Sequence, residues 1–258
     1  MELKIEKLSP NECANIITCF LDGGSWENDV RKNLLPDLSN NPTKTEISKL
    51  IKKKYELNEK NYEENIEKFL EWWESDGNFD YQELLSLMET KGPKNRESIT
   101  WQVGDTFICP RDIEEWSFVM SASFWKWDAI NVSLHEITHF VWFEKVKQIE
   151  GIKHFSQNQE DETYLPYWLL SEIVIDPILN SSTFAKKYEM TWKSYPEFYD
   201  IKIKNKNLMK YIKTLWNERQ NFDDFYEKSS KFVYGNWREI NKQYLNNFNN
   251  QNVEELQK

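Results

Sequence analysis

Apolar residues recur with the spacing of an amphipathic helix over most of the chain. This spacing predicts helices in the segments 44–56, 60–75 and 79–90, and again through 183–250. The run Ser9-Pro10-Asn11-Glu12 predicts an earlier helix start, because serine and glutamate side chains cap free backbone N–H groups and proline favours the first turn. Residues 1–92 are therefore predicted to form a helical N-terminal lobe.

The pattern changes between residues 98 and 125, where aromatic and β-branched residues dominate. The segments SITWQVGDTFICP (98–110) and EWSFVMSASFW (115–125) predict two or three antiparallel strands, with a break at 110–112. Helical spacing then runs from Asp128 to Glu150, before Gly151, and again from Pro166 to Asp176-Pro177. The expected fold class is α+β and predominantly helical, with a small antiparallel sheet and a helical C-terminal half in a second domain, 93–258.

Composition excludes several classes of partner. A net charge of −10 and a pI near 5.0 argue against nucleic acid or an anionic membrane surface as the main partner. No apolar run reaches the roughly 18 residues of a membrane-spanning helix, and MELKIEKLSP lacks the apolar core of a signal peptide. Cys13, Cys19 and Cys109 show no CxxC spacing, which is typical of a reduced, intracellular protein, so we expect a cytoplasmic one.

Two of the three histidines lie in the segment HEITH, at His135 and His139. Residues four apart share one face of a helix, so both imidazoles can bind one zinc ion. Glu136 is then placed to remove a proton from a water molecule whose pKa the metal lowers. The alternative is a buried helix whose histidines only make hydrogen bonds.

A catalytic zinc site needs a third protein ligand and one open position. The HExxHxxGxxH pattern is excluded, because Trp142 and Lys145 occupy the positions of its glycine and third histidine. His154 lies on a polar loop and is expected at the surface, with a role at the site as the alternative. The favoured candidates, Glu172 and Asp176, are four apart in the apolar segment YWLLSEIVIDP, where buried carboxylates need strong partners. A metal ion would be the partner of the Glu172 carboxylate, and the N–H of a zinc-bound imidazole would be the partner of Asp176. The alternative is that both residues form a polar stripe on a half-exposed helix.

HEITH with the downstream E-x-x-x-D element resembles the gluzincin metallopeptidases, the thermolysin-like clan, over roughly residues 115–180. The resemblance implies a zincin-like active-site helix with His135, His139 and Glu172 as zinc ligands. It also implies Glu136 as the general base and Asp176 as the partner of a zinc-binding histidine, His135.

The resemblance carries two further expectations and two departures. The strand 116–123 is expected to be an edge strand that pairs with an extended substrate. A downstream tyrosine is expected to stabilise the tetrahedral intermediate, and the sequence does not choose among Tyr188, Tyr195, Tyr199 and Tyr211. The spacer between His139 and Glu172 holds 32 residues (172 − 139 − 1), more than in thermolysin, and Ser171 replaces the clan's usual asparagine.

These patterns predict a cytoplasmic zinc metallopeptidase, a metal-binding hydrolase that acts on peptides or proteins. The alternative is a non-proteolytic zinc-binding regulatory or interaction protein that retains a zincin-like fold. A third possibility has no metal and assigns partner binding to residues 1–92.

Overall fold

The computed structural model describes residues 1–21, 27–39, 41–93, 96–124, 126–155 and 162–256, with side chains through residue 248. Its helices are α1 Pro10–Cys19, α2 Glu27–Leu34, α3 Lys44–Trp72, α4 Asn78–Leu87, α5 Lys126–Glu150, α6 Leu165–Asn180, α7 Thr183–Lys187, α8 Leu208–Asn217, α9 Phe222–Tyr234 and α10 Trp237–Leu256. Its strands are β1 Glu2–Lys7, β2 Ser98–Gly104, β3 Arg111–Asp112, β4 Ser117–Ser121, β5 Lys202–Ile203 and β6 Lys206–Asn207. The predominantly helical α+β class is confirmed. Among these described helices, none has the length and apolar character needed to cross a membrane.

Local sequence signals account for the helix starts. Ser9 caps α1 through a capping box with Glu12, as predicted, and Thr43 caps α3 in the same way with Glu46. The segments predicted as separate helices at 44–56 and 60–75 merge into the single helix α3 as far as Trp72, since residues 57–59 include no glycine or proline. A π-helical turn, Trp73–Gly77, then joins α3 to α4.

The larger sheet is mixed, with the strand order β1-β2-β4-β3. The predicted antiparallel pairing is found for β3 with β4, but β1–β2 and β2–β4 are parallel. The antiparallel prediction was wrong for β2 with β4, because β3 reverses the chain between these two strands. Strand β1 was not predicted, since residues 1–92 were expected to be a helical lobe. The segment 116–123, which was predicted to be an edge strand, contains β4. Strand β4 lies between β2 and β3, so the edge of the sheet on that side is β3.

The structure divides into two compact units, Met1–Phe79 with Asn95–Glu136, and Asp80–Lys94 with Ile137–Lys258. This division does not follow the predicted boundary between residues 92 and 93, because β1 and α3 belong with β2 and β4. In the first unit, Trp101 of β2 is fully buried, stacks on Trp72 with ring centroids 6.0 Å apart, and meets Phe118 edge-on at 5.6 Å. Helix α5 contributes residues to both units.

In the second unit, helix α6 continues past its predicted end at Asp176-Pro177 to Asn180. Pro177 has no N–H, so the carbonyl of Ile173 loses its usual helical donor. The Ser194 hydroxyl donates to that carbonyl at 3.2 Å. The apolar sequence of α6 is almost entirely buried, and this burial favours the longer helix over a stop at proline.

Candidate metal centre

Helix α5 carries the HEITH segment and ends where the sequence predicts. Gly151 adopts φ of 70°, a left-handed conformation that favours glycine, and its N–H donates to the Lys147 carbonyl at 2.9 Å. Apolar residues on either side of the histidines are completely buried, including Leu134, Ile137 and Phe140. This packing fixes the rotation of the helix and hence the direction of its polar side chains.

The structure brings three of the predicted site residues together. The His139 imidazole and the Glu172 carboxylate are buried, at 0% and 1% exposure, with Nε2 and Oε2 3.4 Å apart. His135 lies one turn earlier on α5, and one ligand atom from each of the three residues lies within 4.8 Å of the others. Two helices, α5 and α6, therefore supply two nitrogen donors and one oxygen donor to one small volume.

This donor set fits a zinc ion. Zinc bonds of about 2.0–2.1 Å in a tetrahedron place neighbouring ligand atoms about 3.3 Å apart. The observed separation of 3.4 Å between His139 and Glu172 is close to that value. Two imidazoles and one carboxylate also leave one tetrahedral position for water, as catalytic zinc sites require. A buried carboxylate at Glu172 is costly without a cationic partner, and a metal would supply that partner.

Glu136 lies beside the group but is not a member of it. Its side chain is 7% exposed, and Oε1 is 4.0 Å from Nε2 of His135. Its other oxygen, Oε2, accepts a hydrogen bond from Nη1 of Arg111 at 3.2 Å. The carboxylate is thus close enough to the ligand group for an intervening water, which is the position a general base needs.

Arg111 was not predicted as a site residue, because the sequence pattern at Pro110-Arg111-Asp112 indicated only a break between strands. One signal was present: Arg111 is the only basic residue between Arg96 and Lys126. In the structure it lies on β3, and its side chain is 14% exposed.

Asp176 lies one turn after Glu172 on α6 and has other partners. Its carboxylate accepts hydrogen bonds from Asn180 at 2.7 Å and from the Tyr199 hydroxyl, and Nζ of Lys213 lies 2.7 Å away. Burial and the hydrogen bond to Asp176 raise the pKa of Tyr199 above its usual range. The predicted contact with His135 is not among these described partners.

The four candidate tyrosines are dispersed. Tyr188 donates to Asp80, Tyr199 donates to Asp176, and Tyr211 packs on Phe232 with ring centroids 4.6 Å apart. The ring centroid of Tyr195 lies 6.4 Å from that of Trp168. Trp168 is on α6, one turn before Glu172. Sequence reasoning missed Tyr244 on α10, whose pKa is raised by burial and by the negative charges of Glu197 and Glu172.

His154 and Cys109 are not members of the ligand group. His154 is exposed, in agreement with its expected surface position. Burial and the nearby negative charge of Glu136 raise the pKa of the Cys109 thiol to about 12, so this thiol is protonated at neutral pH and is a poor nucleophile.

Comparison with known proteins does not connect this chain to a family. Searches against protein-family models, curated proteins and solved structures each find no match. The chemistry of His135, Glu136, His139 and Glu172 is therefore the basis for a proposed function.

Proposed function

We propose that this protein is a zinc-dependent peptidase of gluzincin type. His135, His139 and Glu172 are the zinc ligands in this proposal, and Glu136 is the general base. The observation that carries it is the group of three donors on α5 and α6, in which His139 and Glu172 are buried and His135 is half-buried, with a separate carboxylate oxygen 4.0 Å from the His135 imidazole. Metal-assisted hydrolysis requires three metal ligands and a separate carboxylate that acts as the base, whereas a structural ion pair requires no such set.

The chemistry divides between metal and protein. When bound, zinc supplies Lewis-acid chemistry: it lowers the pKa of water and polarises a carbonyl oxygen. Glu136 takes a proton from the attacking water as the new C–O bond forms. It then gives that proton to the leaving nitrogen as the C–N bond breaks, so the carboxylate is regenerated.

An extended peptide substrate would pair with the outer strand of the sheet. Strand β3 is the outermost strand on the side of β4 and carries Arg111, which contacts Glu136. Backbone pairing with such an edge binds a peptide in an extended conformation through main-chain hydrogen bonds, and specificity then comes from pockets for alternate side chains.

The substitution Glu136→Gln tests the proposal. Glutamine preserves the shape of the side chain but cannot accept the proton, so zinc content should stay at the wild-type level. Turnover should fall by about 10²–10⁴-fold, the usual contribution of general base catalysis. Metal analysis and hydrolysis of a mixed peptide library measure the two quantities.

Glu144→Gln is the matched control, since Glu144 lies on the same helix, outside the ligand group, and accepts a hydrogen bond from Gln148. It should keep both zinc and turnover. Full turnover in Glu136→Gln would contradict the role of Glu136. A wild-type protein that binds zinc tightly and cleaves no peptide would favour the non-proteolytic alternative.

A further inference from the structure

We propose that Arg111 is a positioning residue for Glu136. Its guanidinium holds one oxygen of the carboxylate, and the other oxygen is thereby directed towards the imidazole of His135. The inference rests on the proposed function, because it assigns Arg111 a role in the reaction that Glu136 would carry out.

The two oxygens of Glu136 face different groups. Oε2 accepts from Nη1 of Arg111 at 3.2 Å, while Oε1 is the oxygen that approaches Nε2 of His135, at 4.0 Å. A carboxylate can rotate about its terminal bond, and that torsion is broad. A charged donor on one oxygen restricts the rotation, so the other oxygen keeps a fixed direction.

The anchor of Arg111 is part of the sheet. Residues 111 and 112 pair with β4, and the Pro110 carbonyl accepts from the Val119 N–H at 2.8 Å. Arg111 and Glu136 belong to the same compact unit, on a strand and on a helix respectively. Groups held by regular elements keep catalytic geometry better than groups on loops.

The burial of the pair favours a functional reason for it. The side chains of Arg111 and Glu136 are only 14% and 7% exposed. Removing two charges from water costs free energy that their attraction often only offsets, so such a pair is weak support for stability alone. A general base that must be correctly oriented accounts for an arginine at this position.

Kinetics of Arg111→Ala and Arg111→Lys in the zinc-loaded full-length protein test the role. Misplacing a catalytic group by about 1 Å can cost about 10²-fold, so we expect a loss in kcat of that order for Arg111→Ala, with KM nearly unchanged. Lysine should restore part of the loss, and guanidinium chloride at millimolar concentration should partly rescue the alanine variant. A rise in KM with unchanged kcat would overturn the inference, because Arg111 would then act in substrate binding.

A double-mutant cycle with Arg111→Ala and Glu136→Gln supplies a readout that does not depend on activity. In the metal-free full-length protein, Arg111→Ala should lower Tm by more than about 5 °C, because it removes a charged donor that contacts a buried carboxylate. In the Glu136→Gln background the same change should cost less than half as much.

The matched control cycle uses Arg31 and Glu27 on helix α2, an i,i+4 pair whose side chains are each 25% exposed, where we expect little coupling. Additive Tm changes at Arg111 and Glu136 would overturn the inference even if the protein is an active peptidase. Strong coupling between Arg111 and Glu136 in a protein that cleaves no peptide would support the contact between these two residues. The proposed peptidase function would then be the part that is wrong.

Discussion

At the residue scale, Glu172 and Asp176 share one face of helix α6 but have different surroundings. Glu172 lies 3.4 Å from the His139 imidazole, whereas Asp176 is held by Asn180, Tyr199 and Lys213. We therefore propose ligand chemistry for Glu172 and a structural role for Asp176, although the sequence pattern treats them as one motif.

Substituting each of the two acidic residues with alanine should separate these roles. Glu172→Ala should abolish tight zinc binding, because two imidazoles alone do not complete the site. Asp176→Ala should keep zinc but lose about 3 kcal/mol of unfolding free energy. The estimate is at the low end for a buried pair, because the Lys213 side chain is 43% exposed. Metal analysis and thermal unfolding measure the two effects. Loss of zinc in Asp176→Ala would contradict the structural role and favour the sequence prediction, in which Asp176 orients a zinc-binding histidine.

Sequence alone anticipates the parts of the site that depend on helix geometry. The spacing of His135 and His139 predicts that both lie on one helix face, and the need of a carboxylate in an apolar segment for a partner pointed to Glu172. The structure brings these three residues together. Arg111 could not be found in this way, because its contact with Glu136 joins a two-residue strand to a helix 25 positions later. Contacts of this kind depend on tertiary packing, which leaves no periodic pattern in the sequence.

At the element scale, helix α6 depends on a hydrogen bond from outside the helix. Pro177 removes the helical donor to the Ile173 carbonyl, and the buried Ser194 hydroxyl replaces it. Glu172 and Asp176 lie on either side of Ile173, so the bond supports the part of the helix that carries the proposed ligand Glu172.

Ser194→Ala should lower the unfolding free energy by about 1–2 kcal/mol, because it leaves a buried carbonyl without its donor. Adding Pro177→Ala should recover part of that loss, since alanine restores the helical N–H. Ser181→Ala is the control: Ser181 is exposed and its hydroxyl donates to the Ile178 carbonyl at 2.8 Å, so the cost should be under about 0.5 kcal/mol. Denaturant unfolding of the wild-type protein and of the three variants measures these free energies. Equal losses of unfolding free energy in Ser194→Ala and Ser181→Ala would contradict the role of the Ser194 hydrogen bond.

Helix boundaries were more predictable than strand pairing for a physical reason. The capping boxes at Ser9 and Thr43 and the left-handed Gly151 are local signals that a short window of sequence contains. Strand β1 pairs in parallel with β2, whose first residue is 96 positions further along (98 − 2). A parallel pair needs a long crossover, and the alternating pattern of residues 2–7 does not specify which strand will be its neighbour.

At the scale of the whole molecule, residues 1–79 of the N-terminal segment belong to the first compact unit together with residues 95–136. Strand β1 completes one edge of the sheet, and the rings of Trp72 and Phe69 from α3 lie about the buried Trp101, at 6.0 and 5.9 Å. Removing residues 1–92 would expose this aromatic core to water.

A chain that starts at residue 93 should therefore lose cooperative unfolding in its first unit. Circular dichroism during heating would show a broad transition for this shortened chain, in place of the sharp transition of the full-length protein. An equally sharp transition at the same Tm would contradict this assignment and support an independent domain at 93–258.

Zinc stoichiometry of the purified full-length protein tests whether His135, His139 and Glu172 hold a zinc ion. We expect about one zinc per chain, and a loss of this zinc in Glu172→Ala, because three protein ligands are needed to hold the ion. Less than about half an equivalent in the wild-type protein, with no uptake after reconstitution with zinc, would contradict it.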